Sequence, residues 1–175
     1  AKYDKAMRDM GQLQKSKKRL QREPWEKLAE TFLTVYRVEK KWKERSAALF
    51  RSAEALDHLA RCASNAKDAR RSVDRYLQLV RLYPKSSLAD DSLCAIAEKM
   101  LCQLEQRAAR SGYQLHHTPR VGQALAAKAR SAYGARELRR AVDRAVEQAL
   151  ADQIASGTAC VGQHWTADCL SLIHI

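Results

Sequence analysis

The stretch Gly134-Ala135-Arg136, followed by Arg139 and Arg140, contains the residues of this sequence best suited to contact a phosphate. A glycine permits a tight bend before a helix, and the amino end of a helix attracts anions because its N–H groups carry partial positive charge. An arginine in the first helical turn can hold a phosphate with its forked donors. Arg136 is therefore a candidate phosphate contact. An ordinary basic turn exposed to water is the alternative.

The remaining residues with metal-binding side chains do not form a recognisable site. His116 and His117 lie at a predicted strand-to-helix turn, where adjacent side chains point apart, so we expect exposed turn residues and no joint metal site. Cys160, His164 and Cys169 match no closed zinc spacing, and a fourth ligand is not evident. The sequence also contains no GxxxxGK[ST], GxGxxG, HExxH or GxSxG motif. We predict no metal site and no catalytic residue.

Most of the chain shows the spacing of apolar residues that is typical of helices. These helices must position the residues described above. Only 6 Gly and 3 Pro, among many Ala, Leu, Arg, Lys and Glu, favour a mostly α fold. The only strand pattern is a stub near Tyr113–Leu115. Apolar residues at helical spacing predict helices over about 3–20, 24–36, 46–63, 67–82, 87–110, 119–131 and 135–156.

An internal similarity relates the second and fourth predicted helices. A shift of 44 residues places Phe32 on Tyr76 and Leu49 on Leu93. Two copies of a helical hairpin would stack and present a concave surface to a protein partner, although two unrelated amphipathic hairpins could also align by chance. The repeat predicts that Trp25 and these four residues are buried between helices.

Charge and cysteine content limit which partners and which cellular compartment can be expected. The 32 Lys and Arg against 20 Asp and Glu give a net charge of +12, which attracts anionic surfaces without specificity. The densest run, 15–22, is predicted to be a solvated helix face or a fraying end. Five cysteines without CxxC spacing favour a reducing compartment. We expect protein partners, no specific nucleic acid and no membrane span.

The segment Met100–Gly157, "MLCQLEQRAARSGYQLHHTPRVGQALAAKARSAYGARELRRAVDRAVEQALADQIASG", resembles the small carboxyl-terminal subdomain of Clp-type AAA+ unfoldases. The shared features are a long helix, a short strand, a second helix, a "GAR.LRR" turn and a final long helix. The resemblance implies ATP as the ligand, with Arg136 as the sensor arginine at its terminal phosphate, and Gly134 and Ala135 shaping the turn. The large ATPase subdomain, with its phosphate loop, does not precede this segment in the sequence.

The amino-terminal part has a different resemblance. "EPWEKLAETFLTVYR", "AALFRSAEALDHLA" and "YPKSSLADDSL" are similar to the tetratricopeptide-like helical region of exported bacterial N-acetylmuramoyl-L-alanine amidases. The zinc-dependent amidase domain of that family has no counterpart in this sequence. The two resemblances meet near "ADDSLCAIAEKML", where a natural gene fusion and an artificial junction are both open.

These observations predict stacked tetratricopeptide-like helical hairpins over 1–95 and a small helical subdomain with at most short strand stubs over 96–157. Residues 158–175 are predicted to be an irregular tail whose end resembles read-through into non-coding or adapter sequence. The expected function is that of a non-catalytic Clp-type small subdomain, packed against a large subdomain or a neighbouring AAA+ subunit and joined to a protein-interaction region in the cytoplasm. The alternative is the interaction region of an exported peptidoglycan amidase in the periplasm or cell envelope.

Overall fold

The computed structural model describes residues 2–129, 134–168 and 171–174 of the chain. These residues are mostly helical with short strands, which confirms the predicted fold class. The helices are α1 (Lys2–Lys15), a 3₁₀ helix (Lys17–Leu20), α2 (Arg22–Val38), α3 (Trp42–Ala63), α4 (Ala66–Leu82), α5 (Ser87–Arg110), α6 (Pro119–Lys128), α7 (Gly134–Val142), a π-helical turn (Asp143–Glu147) and α8 (Gln148–Ala155). The strands are β1 (Gln114–His117), β2 (His164–Asp168) and β3 (Ser171–His174).

The chain divides into two compact units, an amino-terminal unit of residues 1–92 and a carboxyl-terminal unit of residues 93–175. Helix α5 begins in the first unit and continues into the second. The boundary between the two units therefore lies inside α5, and the domain division after residue 95 stays a prediction.

In the amino-terminal unit, α3 packs against both α2 and α4. The connections between these helices are short, and each helix carries an apolar face that is buried where the helices pack together. The five residues that the repeat predicted to be buried are all at most 3% exposed, which confirms that prediction: Trp25, Phe32, Leu49, Tyr76 and Leu93.

The helix bounds follow the internal similarity. Helices α2 and α4 each have 17 residues and begin at Arg22 and Ala66, which are 44 positions apart. The second helices of the two pairs, α3 and α5, begin at Trp42 and Ser87. The first helices of the two pairs agree in length and in the 44-residue offset, as a duplicated helical hairpin predicts, whereas the second helices begin 45 positions apart and have 22 and 24 residues.

The buried face of α4 differs from the predicted one. Helical spacing predicts a core face of α4 that includes Leu77 and Leu82 with Tyr76, but Leu77 is half-buried and Leu82 is 53% exposed. Tyr76 is buried as predicted, and Ser72 and Leu79 are buried as well. The face can include Ser72 because its hydroxyl donates a hydrogen bond to the Asp57 carboxylate on α3, so no polar group is buried without a partner there.

The carboxyl-terminal unit contains a small sheet that the sequence did not predict. Strand β1 pairs in parallel with β2, placing Leu115 beside Trp165, and β2 pairs antiparallel with β3. The expectation of an irregular tail over 158–175 was wrong for β2 and β3. Leu115 and Trp165 are both buried, so parallel pairing with a strand about 50 residues earlier orders a segment that has no clear period of its own.

Candidate functional site

The candidate phosphate contact Arg136 lies in the first turn of α7, which begins at Gly134. Its side chain is exposed, whereas Leu138, Val142 and Val146 on the opposite face are at most 3% exposed. Apolar burial on one face thus holds the helix in place and leaves the arginine at the surface. The bend expected just before Gly134 involves residues 130–133, which lie outside the described residues.

Three further arginines, Arg139, Arg140 and Arg144, are exposed along α7 and the π-helical turn. Arg140 forms an ion pair with Glu137, with 2.9 Å between Nη1 and Oε1. Arg136 is closest to the amino end of α7, where helix N–H groups and the helix dipole favour an anion. The arrangement can therefore bind a phosphate group at Arg136, with additional positive charge behind it.

The π-helical turn Asp143–Glu147 joins α7 to α8 without interrupting the helical path. Glu147 in this turn forms an ion pair with Arg107 on α5, with 3.1 Å between its Oε1 and the arginine Nη1. Helix α7 also packs against α6. These contacts connect the helix that carries Arg136 to two other helices of the unit.

A second polar cluster, Glu98, His117 and Glu105, links α5 to β1. The His117 Nδ1 lies 2.7 Å from Glu105 Oε1, and its Nε2 lies 2.8 Å from Glu98 Oε2. The imidazole is only 10% exposed. His117 was expected to be an exposed turn residue, and that expectation was wrong, because β1 extends through His117 and directs its ring toward α5.

Two opposing effects act on the pKa of His117. Burial disfavours the charged ring and lowers the pKa, but hydrogen bonds and charge attraction from Glu98 and Glu105 raise it, and the net pKa lies above the ordinary value for histidine. Both ring nitrogens face a carboxylate oxygen, and only the imidazolium can donate to both at once. The cluster is therefore best satisfied when His117 is protonated.

A close contact between α5 and α6 positions the carboxylate of Glu98. A Cβ atom at Gly122 of α6 would lie 3.0 Å from Glu98 Cδ and would overlap Glu98 Oε1. Glycine at this position leaves room for the Glu98 side chain between α6 and β1. Thr118, which begins α6, also donates a hydrogen bond of 2.6 Å to Asp168 at the end of β2. These contacts join the sheet to the helices.

Within residues 2–129, 134–168 and 171–174, no group of three His, Cys, Asp or Glu side chains is arranged to hold a metal ion. Cys160 and His164 belong to the described residues, whereas Cys169 lies outside them. In the same part of the chain, no helix combines the length and the apolar character needed to cross a bilayer.

Comparison with known families gives a match that includes both of these clusters. Residues 88–167 match the family model for the C-terminal, D2-small domain of ClpB protein. The match begins in α5 and ends in β2, so it includes α7 with Arg136, the His117 cluster and part of the segment expected to be an irregular tail. We call residues 88–167 the D2-small-like segment. It confirms the resemblance to a Clp-type small subdomain, and its span is wider than the sequence-based range of 96–157.

No curated protein matches the chain. The resemblance of the amino-terminal part to the helical region of exported amidases stays a prediction, because the family match covers residues 88–167. The role of Arg136 as a nucleotide sensor also stays a prediction.

Sequence reasoning located Arg136 but missed the Glu98–His117–Glu105 cluster. Its members lie 12 and 19 residues apart along the chain and meet only when β1 packs on α5. One available signal was the seven-residue spacing of Glu98 and Glu105, which puts two carboxylates on the same side of a helix. Nothing in the sequence indicated which histidine would face them.

Proposed function

We propose that the D2-small-like segment acts as the small subdomain of a Clp-type AAA+ ATPase and that Arg136 contacts the terminal phosphate of ATP held by a large subdomain. The observation that carries this proposal is the exposure of Arg136 at the start of a helix whose other face is buried, inside a segment matching a ClpB D2-small domain. A guanidinium held in this way can stabilise charge that develops on a transferring phosphate.

The proposal assigns no catalytic step to this chain. Arg136 would bind and orient a phosphate, Leu138 and Val142 would keep α7 anchored, and the large subdomain would supply the phosphate loop. We expect the chain alone to turn over ATP with Mg²⁺ at less than about 0.1 per second, well below typical enzyme rates. Turnover above that rate by the purified chain would contradict the assignment.

The decisive experiment replaces the small subdomain of a ClpB-type ATPase with the D2-small-like segment. The unmodified graft must hydrolyse ATP before its variants are compared. We expect Arg136→Ala to reduce hydrolysis by about tenfold or more, because one preorganised donor to the transition state is lost. Arg144→Ala is the matched control, since it removes the same charge about 12 Å further along the helical path. Equal rates for the two variants would contradict a sensor role.

We further propose that residues 1–92 form a protein-interaction region built from helical hairpins. The equal length and 44-residue offset of α2 and α4 support it. Reading the genomic DNA across 89–103 tests whether this region and the D2-small-like segment are encoded together. An interruption there would show that the two regions are not encoded as one protein and would contradict a joint function.

A further inference from the structure

The turn between α2 and α3 exposes apolar side chains among lysines. Val38 is 61% exposed and Trp42 is 52% exposed. Lys40, Lys41 and Lys43 in the same turn are also exposed. We call these five residues the α2–α3 patch. The patch combines an aromatic ring, a branched aliphatic side chain and three cations within six consecutive positions.

Trp42 differs from the other two tryptophans of the chain. Trp25 is 1% exposed and stacks on His58 with 4.1 Å between ring centroids, and Trp165 is 4% exposed. A tryptophan exposed to water contributes little to folding and leaves a large apolar surface solvated. Val38, four positions earlier in the chain, is exposed as well, and the two side chains together indicate a contact surface rather than a core position.

The three lysines of the turn outnumber its two acidic residues, Glu39 and Glu44, so the turn carries a net positive charge. The Glu39 carboxylate accepts hydrogen bonds from the backbone N–H groups of Lys40 and Lys41, at 2.8 and 3.2 Å. Glu44 forms an ion pair with Lys41, with 3.3 Å between Nζ and Oε1. Lys40 and Lys43 are both exposed, and the Lys43 ammonium group lies 5.9 Å from the Trp42 ring centroid.

From this combination we infer that the α2–α3 patch docks on an anionic lipid surface, with Trp42 and Val38 at the level of the headgroups and Lys40 and Lys43 at lipid phosphates. Indole rings favour the membrane interface because they have an apolar body and a polar N–H. Lysine stems can lie along apolar surface while the ammonium group reaches a phosphate. Juxtaposed cations strengthen such binding to an anionic leaflet.

A lipid surface fits the patch better than single-stranded nucleic acid. Nucleic-acid grooves usually stack successive bases on several aromatic rings. Of the five residues in the α2–α3 patch, Trp42 alone is aromatic, and the Tyr36 ring near the end of α2 faces the Arg45 guanidinium at 5.0 Å. Val38 has no role in base stacking, whereas it can enter the boundary between headgroups and acyl chains.

The test follows tryptophan emission of the full chain during titration with vesicles. Because Trp25 and Trp165 are buried, acrylamide quenching and emission shifts report mainly on Trp42. We expect vesicles with about 30% phosphatidylserine to shift the emission to shorter wavelength and to protect it from acrylamide. Neutral phosphatidylcholine vesicles and soluble glycerophosphoserine should do neither, which separates a lipid surface from free phosphate chemistry.

Variants then distinguish binding through the α2–α3 patch from attraction by the net charge of the whole chain. Trp42→Ala should weaken vesicle binding by about tenfold, and Lys40→Gln with Lys43→Gln by about tenfold to thirtyfold, as measured by cosedimentation. Trp42→Phe should retain binding within about threefold. The matched control is Lys17→Gln with Lys18→Gln in the 3₁₀ helix, which removes the same charge at the other end of α2 and should change binding by less than about threefold.

Three outcomes would overturn the inference. The first is the absence of binding to anionic vesicles. The second is equal weakening by the two double-lysine variants, which would mean that net charge alone attracts the chain. The third is quenching of Trp42 by an oligothymidylate without any response to vesicles, which would assign the patch to single-stranded nucleic acid.

Discussion

The two units of the chain depend on different kinds of contact. In residues 1–92, large side chains such as Phe32 and Tyr76 are buried between helices that follow one another in sequence. In residues 93–175, a histidine bridged by two carboxylates joins a helix to a strand, and the strand pairs with another about 50 residues later. The first unit is therefore organised mainly by apolar packing of consecutive helices, supported by polar links such as the Arg22–Asp68 ion pair between α2 and α4. The second unit also depends on strand pairing across about 50 residues.

The largest expected effect tests the apolar core of the amino-terminal unit. Phe32 is fully buried, so Phe32→Ala should lower the free energy of unfolding by about 3 to 5 kcal/mol. Leu77→Ala was expected from the sequence to cost as much, but its half-buried side chain reduces the expected cost to less than about 2 kcal/mol. Urea unfolding followed by circular dichroism compares the two. Equal costs would mean that the face of α4 is wrongly placed.

The next effect tests the contact of His117 with Glu98 and Glu105, which bridges β1 and α5 in the carboxyl-terminal unit. Removing the ring in His117→Gln should cost about 1 to 3 kcal/mol, because hydrogen bonds to charged partners are lost. The bridge should also depend on pH. Since the pKa of His117 is raised in the folded state, its stabilisation is fully present below the ordinary histidine pKa of about 6.5 and is lost as pH rises through the raised value.

Urea unfolding at about pH 6 and about pH 9 measures this dependence. The parent should lose more stability over the interval than His117→Gln, and the difference between them is the histidine contribution. Gly122→Ala offers a second approach, because its Cβ would overlap Glu98 Oε1 and displace that carboxylate. If Gly122→Ala and Glu98→Gln each lower stability and their effects simply add, the glycine does not act through Glu98.

A smaller effect measures how much a buried hydrogen bond contributes to the stability of the amino-terminal unit. The Tyr76 hydroxyl donates a hydrogen bond of 3.3 Å to Asp57 Oδ2, and burial raises the pKa of Tyr76 well above its ordinary range. Tyr76→Phe keeps the ring and should cost only about 1 kcal/mol, because Ser72 still donates to Asp57. A double-mutant cycle with Ser72→Ala measures the coupling. A cost as large as that of Phe32→Ala would remove the contrast between the two units.

The same contrast explains how much of the fold could be predicted. Helix periodicity is a local property, so α2, α4 and the buried Phe32 and Tyr76 could be predicted from spacing alone. The pairing of β1 with β2 depends on where the intervening helices bring the chain, and four or five residues carry little pattern of their own. The sheet was therefore missed although Trp165 is buried in it.

The candidate site likewise contains some features that could be predicted from neighbouring residues and others that could not. Arg136 follows a glycine at the start of an amphipathic helix, so its exposure could be predicted from residues within one turn. The acidic partners of His117 come from another element. The sequence correctly predicted that α6 begins at Pro119, but the hydroxyl of Thr118 just before it donates to Asp168 rather than to the helix. Side-chain partners at long range are decided by tertiary packing, which local rules do not describe.

The smallest expected effect on stability separates binding from folding. Arg136→Ala should change the free energy of unfolding of the chain by no more than about 0.5 kcal/mol, because an exposed surface arginine contributes little to folding. Leu138→Ala on the buried face of the same helix should cost about 2 to 5 kcal/mol and serves as the control. Thermal unfolding of both variants gives the comparison. A large loss with Arg136→Ala would mean that its side chain supports the fold, and a residue needed for folding could not be assigned to phosphate sensing from hydrolysis rates alone.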